Sequence, residues 1–163
     1  MGAEAVYGVT GNPEKAEYAA SFGYDRIFDY ENLAARLADA TGGRGVDVLL
    51  DSVGGPVRAA GFDLLAQFGR QVIFGDAAAE DATFTGVQIW GASKALAGFN
   101  LGALAHQRPE AVRGMLAEAV ADVAAGDIRI DVTEVPLEEA AKAHEILESR
   151  LSRGKFVLRI GPA

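Results

Sequence analysis

The chain has 163 residues, 50% of them hydrophobic, a formal net charge of −8 and no cysteine. That length suits one domain of roughly 100–200 residues with a substantial core, and disulfides and thiolate metal sites are excluded. The acidic balance argues against nucleic acid and anionic membrane surfaces as partners, and the short, charge-interrupted apolar runs argue against a membrane span.

Met1-Gly2-Ala3-Glu4 lacks the basic and apolar pattern of a secretory signal, so a cytoplasmic protein is the expectation. Ala5-Val6-Tyr7-Gly8-Val9-Thr10 reads as a first strand. Asn12 then suits a helix N-cap, Pro13 the first helical position, and Glu14 the positive end of the dipole. Gly23 stops that helix, and Arg26-Ile27-Phe28-Asp29 forms a second strand. Leu33, Leu37 and Ala38 give a helical stripe ending at Gly42-Gly43.

Val46-Asp47-Val48-Leu49-Leu50-Asp51 is a short aliphatic run, which predicts a strand covered on both faces, the habit of parallel sheets. Its exit, Ser52-Val53-Gly54-Gly55-Pro56, is expected to wall a binding crevice, because open α/β sheets bind ligands beyond their strand carboxyl ends. Pro56 opens a helix in which Val57, Ala60, Gly61, Leu64, Leu65 and Phe68 form the apolar face, with Arg58, Asp63 and Gln67 opposite. Gln71-Val72-Ile73-Phe74 is the next strand, stopped by Gly75. Residues 76–91 read as loop with one short helical turn, and residues 94–99 as a strand.

Two helices and a strand close the chain. Val112, Met115, Leu116, Ala119, Val120 and Val123 form one apolar face, and Leu137, Ala140, Ala141, His144 and Leu147 another. Phe156-Val157-Leu158-Arg159-Ile160 is the last strand. Alternating strands and helices make the expected class α/β, a doubly wound, Rossmann-like parallel sheet.

Val9-Thr10-Gly11 with Glu14-Lys15-Ala16-Glu17, Phe22-Gly23 and Asp29-Tyr30 resembles the cofactor domain of the medium-chain dehydrogenases/reductases. So do Thr41-Gly42-Gly43-Arg44-Gly45-Val46-Asp47-Val48, Asp51-Ser52-Val53-Gly54-Gly55, and Ala143-His144-Glu145-Ile146-Leu147-Glu148-Ser149-Arg150 before Gly154-Lys155. The branch it resembles is the NADPH quinone oxidoreductases, zinc-independent and alcohol dehydrogenase-like. The resemblance implies a partial dinucleotide-binding domain over residues 1–100, and C-terminal helices and a strand over 101–163 that return toward a catalytic domain.

That catalytic domain, the first Rossmann strand and its glycine-rich phosphate turn have no counterpart here, so the chain is expected to be a truncated, C-terminal portion. Gly42-Gly43-Arg44-Gly45 precedes a strand, whereas a dinucleotide loop follows one, and Gly8-Val9-Thr10-Gly11 lacks the G-x-G-x-x-G spacing. In the order 3-2-1-4-5-6 the missing strand is central. The strands at 5–10 and 46–51 are therefore expected to close on each other, or to receive a complementing chain. Finding them antiparallel or in separate sheets is expected to overturn the family reading.

Lys15, in the first turn after the first strand, stands where a Rossmann sheet places the adenosine ribose. That strand ends Thr10-Gly11 without the carboxylate that selects NAD, and Tyr30 ends the next strand. By the resemblance, Gly11, Lys15 and Tyr30 hold the 2′-phosphate of NADPH, and Arg150 joins them. Two charge-assisted hydrogen bonds of roughly 1.5–3 kcal/mol each would give ~10²–10⁴-fold preference for the phosphorylated cofactor.

The exits Asp51-Ser52-Val53-Gly54 and Phe74-Gly75-Asp76 flank adenosine and nicotinamide in the family; read from the residues alone, their glycines permit tight turns, and the two readings are compatible. The family more often has an amide at the Asp76 position. His144 is expected to be a core or interface histidine, His106 exposed in a polar connector, and Trp90 a packing residue. Two histidines without clustered partners make no zinc site. No carboxylate pair is marked for acid/base work, and no catalytic residue is assigned.

The implied function is hydride transfer from NADPH to a quinone, an enone or a similar conjugated carbonyl, the chemistry residing in the nicotinamide. The alternative is a non-catalytic module, or half of a split reductase that needs a partner chain. Homodimerisation through residues 94–99 is implied by the resemblance.

Overall fold

The computed structural model describes residues 2–12 and 14–161, so the expected place of Pro13 in its helix lies outside the described residues. The chain divides into two compact units, Met1–Glu31 with Ala117–Ala163, and Asn32–Leu116. Among the described residues, no helix is long and apolar enough to cross a membrane.

In the first unit, β1 (Tyr7–Val9) pairs in parallel with β2 (Arg26–Phe28), Tyr7 opposite Arg26 and Val9 opposite Phe28. The crossover helix α1 (Glu14–Ala20) starts as expected: the Asn12 side chain accepts from Glu14 N–H at 2.9 Å. Gly23 takes the left-handed conformation (φ +88°) that stops the chain after α1. Phe28 is almost fully buried, with the Tyr7 ring 5.7 Å away.

The same unit holds a second parallel pair. It consists of β6 (Val132–Pro136) and β7 (Lys155–Arg159), joined through a 3-10 turn at Leu137–Glu139 and α7 (Ala140–Glu148). Two arginines from the C-terminal part of the chain hold α1 and the turn after it. Arg129 lies 4.0 Å over the Phe22 ring and donates to Ser21 Oγ at 2.8 Å, and Arg153 donates to the Glu14 carbonyl at 3.0 Å.

The second unit contains α2 (Leu33–Ala40), β3 (Val46–Asp51), α3 (Gly55–Asp63), β4 (Leu65–Ile73), α4 (Gly86–Gly91), β5 (Ala95–Gly98) and α5 (Leu101–Gln107). Helix α6 (Pro109–Ala125) begins in this unit. Its sheet runs β3-β4-β5, all parallel. Gly61 lets α3 close on β3, since a Cβ there would lie 3.1 Å from a Leu49 methyl. Lys94 donates to the Phe62 and Asp63 carbonyls at 2.8 and 3.1 Å, capping the C-terminal end of α3 where the dipole favours a cation. Thr85 and Gln88 form a reciprocal capping box that starts α4.

Several expectations are corrected. β1 and β3 do not close on each other; they lie in separate sheets. In the order 3-2-1-4-5-6 the pair β1-β2 corresponds to 2-3 and the run β3-β4-β5 to 4-5-6, so each sheet keeps the neighbour pairing of one flank of that order. β3 is covered on one face only, because Val48 and Leu50 are exposed. Leu65 and Phe68 belong to β4 rather than α3: the strand enters early, with a register shift between Val46 and Val48 and Phe68 at φ +62°.

Arg58, expected on the solvent side of α3, is buried. Trp90 is exposed instead of packed, and His144 is exposed because α7 turns Ala143 inward in its place. Met115, Leu116, Val120 and Val123 of α6 are exposed, so the stripe that predicts the helix is not covered by the rest of the described chain.

Candidate functional site

The carboxyl ends of β3 and β4 bring together the expected Ser52, Val53, Gly54, Phe74 and Gly75. Phe74 N–H donates to the Asp51 carbonyl at 2.9 Å, which carries the parallel pairing one step past the strands. The loops are then stitched by Ala77 N–H to Ser52 O at 3.1 Å, Ala78 N–H to Val53 O at 2.8 Å and Gly55 N–H to Glu80 O at 2.7 Å. Glycine is required at two of these points. A Cβ on Gly75 would stand 2.9 Å from the Ser52 carbonyl oxygen, and Gly54 (φ +93°) touches Asp76 and the Glu80 carbonyl where its Cβ would be.

Beneath the loops lies a buried charge network. Asp51, at the last position of β3, is 3% exposed. One carboxylate oxygen accepts from Val53 and Gly54 N–H at 2.8 and 3.1 Å; the other accepts from Arg58 Nε at 2.7 Å and Gln71 Nε2 at 3.3 Å. Arg58 reaches onward to Asp81 at 2.6 Å and to the Gly75 carbonyl at 2.7 Å, with Asp76 at 3.7 Å. Gln71 is fully buried and also donates to the Arg58 carbonyl, while its own carbonyl oxygen has no hydrogen-bond partner among the described residues.

Burial works to raise the Asp51 carboxyl, but the Arg58 guanidinium and the Val53 and Gly54 amides outweigh it and hold the group below the usual carboxylate range. Asp51 in turn raises Arg58. Asp81 is lowered by the Ala82 amide and then by Arg58. One guanidinium thus joins both strand exits and the loop beyond them. Two buried charges in this geometry are stable only because nearly every donor and acceptor is matched.

The first unit places the other expected residues. Gly11 and Tyr30 are neighbours at the ends of β1 and β2, a Cβ on Gly11 lying 3.3 Å from the Tyr30 ring. Lys15 stands in the first turn of α1, half-buried, and makes no ion pair among the described residues. Thr10 and Asn12 close the turn after β1 through an Asn12 N–H to Thr10 Oγ1 bond of 3.2 Å. Arg150, past the end of α7 in the left-handed region (φ +62°), has no hydrogen bond or ion pair to Gly11, Lys15 or Tyr30 among the described residues.

Sequence reasoning missed Arg58, Gln71 and Asp81. The available signal was an aspartate closing a strand, with an arginine seven residues on in a glycine-containing helix that packs closely. A hollow of about 270 Å³ lined by Leu37, Arg44, Gly45, Asp63 and Leu64 opens at the opposite, entry end of β3. Ligands of open α/β sheets bind at strand carboxyl ends, so the exits and not this hollow are the candidate site.

A family model described as zinc-binding dehydrogenase matches residues 22–158. The chain belongs to that family. Within the medium-chain dehydrogenases/reductases it lies on the quinone oxidoreductase-like side and corresponds to a C-terminal cofactor-domain portion. It is 34% identical to quinone oxidoreductase 1 of Escherichia coli, over 97% of this chain and 50% of that protein. It is 33% identical to phthioceranic/hydroxyphthioceranic acid synthase of Mycobacterium tuberculosis, over 98% of this chain and 8% of the synthase.

The solved structure of Escherichia coli quinone oxidoreductase complexed with NADPH superposes with a TM-score of 0.78 at 30% identity, over 94% of this chain and 49% of that one. The chain therefore spans about half the length of the quinone oxidoreductases it matches. The separate sheets of β1 and β3, the arrangement expected to overturn the family reading, do not overturn it: the family model matches residues 22–158, and each sheet keeps the pairing of its flank, so the expectation and not the membership is corrected. Despite the family's name, no group of three or more His, Asp or Glu among the described residues is arranged to hold a metal ion.

Proposed function

We propose that this chain is the cofactor-holding portion of an NADPH-dependent reductase that delivers hydride to a quinone, an enone or a similar conjugated carbonyl. The observation that carries the reading is the pair of glycine-bearing strand exits at Asp51–Gly54 and Phe74–Gly75, locked by Arg58 in a chain similar to quinone oxidoreductases. When bound, the dinucleotide supplies the hydride; the protein supplies binding and orientation. Ser52, Val53, Gly54, Phe74 and Gly75 would flank the adenosine and nicotinamide of the dinucleotide, on loops whose glycine backbones pack closely against Ser52, Asp76 and Glu80.

In the first unit, Gly11, Lys15 and Tyr30 would hold the 2′-phosphate, with Arg150 as an additional cation. Two features support the fit. β1 ends without a carboxylate, and among the described residues the Lys15 ammonium makes no ion pair. Calorimetric titration with NADPH and NADH tests this reading. The chain should prefer NADPH, and Lys15→Ala should abolish that preference; equal affinity for both cofactors in the unmodified chain would remove the assignment.

A second reading has its own support. β3 is an edge strand with Val48 and Leu50 exposed, and unpaired edges recruit further strands. A homodimer, or a complementing chain that completes a split reductase, would satisfy that edge. Sedimentation analysis should show a species heavier than the monomer, alone or with the complementing polypeptide. A monomer that binds NADPH fully would dismiss it.

A further inference from the structure

The exit of β4 carries a carboxylate that the network beneath it does not fully neutralise. Asp76 follows Gly75, its side chain is 54% exposed, and Oδ1 occupies the space that a Cβ on Gly54 would take. The nearest cation is Arg58, at 3.7 Å. That guanidinium is already directed at Asp51 Oδ2, Asp81 Oδ1 and the Gly75 carbonyl, all at 2.6–2.7 Å. Among the described residues no other salt bridge reaches Asp76, and Glu80 adds a further carboxylate beside Gly55. Asp76 therefore keeps most of its negative charge at the mouth of the strand exits.

We propose that Asp76 makes this crevice discriminate the redox state of the nicotinamide ring, holding the oxidised, positively charged form more tightly than the reduced, neutral form. The inference rests on the cofactor reading above and adds a specificity-determining residue to it. The phosphates and sugars are the same in both forms, so a carboxylate repels them equally; only the ring charge differs. Removing Asp76 should therefore change the ratio of the two affinities, whereas a role limited to supporting the Gly54 turn would change both affinities together. A couple whose oxidised member is bound tenfold more tightly has its potential lowered by about 30 mV, which makes the bound reduced form the stronger donor.

The experiment is calorimetric titration of the chain and of Asp76→Asn with NADP⁺ and with NADPH, at low and at high salt. The asparagine keeps the shape of the side chain, and among the described residues the carboxylate's one ion pair is the 3.7 Å approach of Arg58. The expected result is a roughly three- to tenfold shift of the NADP⁺-to-NADPH affinity ratio toward NADPH in the variant, smaller at high salt, as for a partly exposed charge. A ratio unmoved by the substitution, with both forms still bound, overturns the Asp76 assignment alone. A wild-type chain that binds neither form overturns the cofactor reading and this proposal with it.

Discussion

The turn after β1 and the turn after β3 meet one structural demand with different chemistry. Each must carry the chain from a parallel strand into a helix while leaving backbone groups at the strand's carboxyl end. After β1 the means are local and neutral: the Thr10 hydroxyl accepts from Asn12 N–H, and the Asn12 side chain accepts from Glu14 N–H. After β3 they are long-range and ionic: Asp51 holds Val53 and Gly54, and Arg58 ties that carboxylate to Gly75 and Asp81. A local turn forms and frays by itself. An ionic turn couples α3, both strand exits and the loop beyond them, so it holds or fails as a unit.

Breaking the ionic turn should have the largest effect. Arg58→Met keeps the length of the side chain but leaves Asp51 buried and unpaired, which costs about 3–5 kcal/mol. Urea unfolding followed by circular dichroism should show that loss. A loss below ~1 kcal/mol would mean that Asp51 finds water on removal of its partner, and that the two turns differ less than their geometry suggests.

Acid should separate the turns without mutation. The folded Asp51 carboxyl lies below its unfolded value of about 3.9, so its contribution is complete well above that pH. It is lost as pH falls through 3.9 toward the folded pKa. Thr10 and Asn12 do not titrate. Amide resonances of Val53 and Gly54 should move with a midpoint under about 3.9, and by more than that of Asn12, whose N–H donates to the Thr10 hydroxyl; a midpoint above that value would contradict the depressed carboxyl.

The same contrast explains what the sequence revealed. Strands and turns were legible where the signal is local, as in the aliphatic run Val46–Asp51, the Asn12 cap and the left-handed glycines at 23, 42 and 43. Arg58 was misplaced because a helical wheel assigns charge to solvent, and its partners Asp51 and Asp81 lie seven and twenty-three residues away. Leu65 and Phe68 were absorbed into α3 because their spacing extends its stripe, although β4 pairing starts at Leu65. Strand β6 escaped notice because Val132, Thr133 and Glu134 are all exposed and give no buried alternation. In the candidate site, the glycines and the exit residues were readable, whereas the charge pair that fixes them is a product of tertiary contact.

The smallest effect belongs to the neutral turn. Asn12→Ala removes the acceptor for Glu14 N–H and should cost about 1 kcal/mol, the usual value for an N-cap. Helix α1 has only seven residues and no buried side chain of its own, so the loss should appear as fraying of its first turn and not as global unfolding. Amide exchange should quicken at Glu14 and Lys15 and stay unchanged at Val53 and Gly54. Faster exchange at all four would show that the two turns are coupled, and would end the distinction between a local device after β1 and a cooperative one after β3. Because Lys15 sits in that first turn, fraying should also weaken whatever the ammonium holds, which links this modest change to the Lys15→Ala titration.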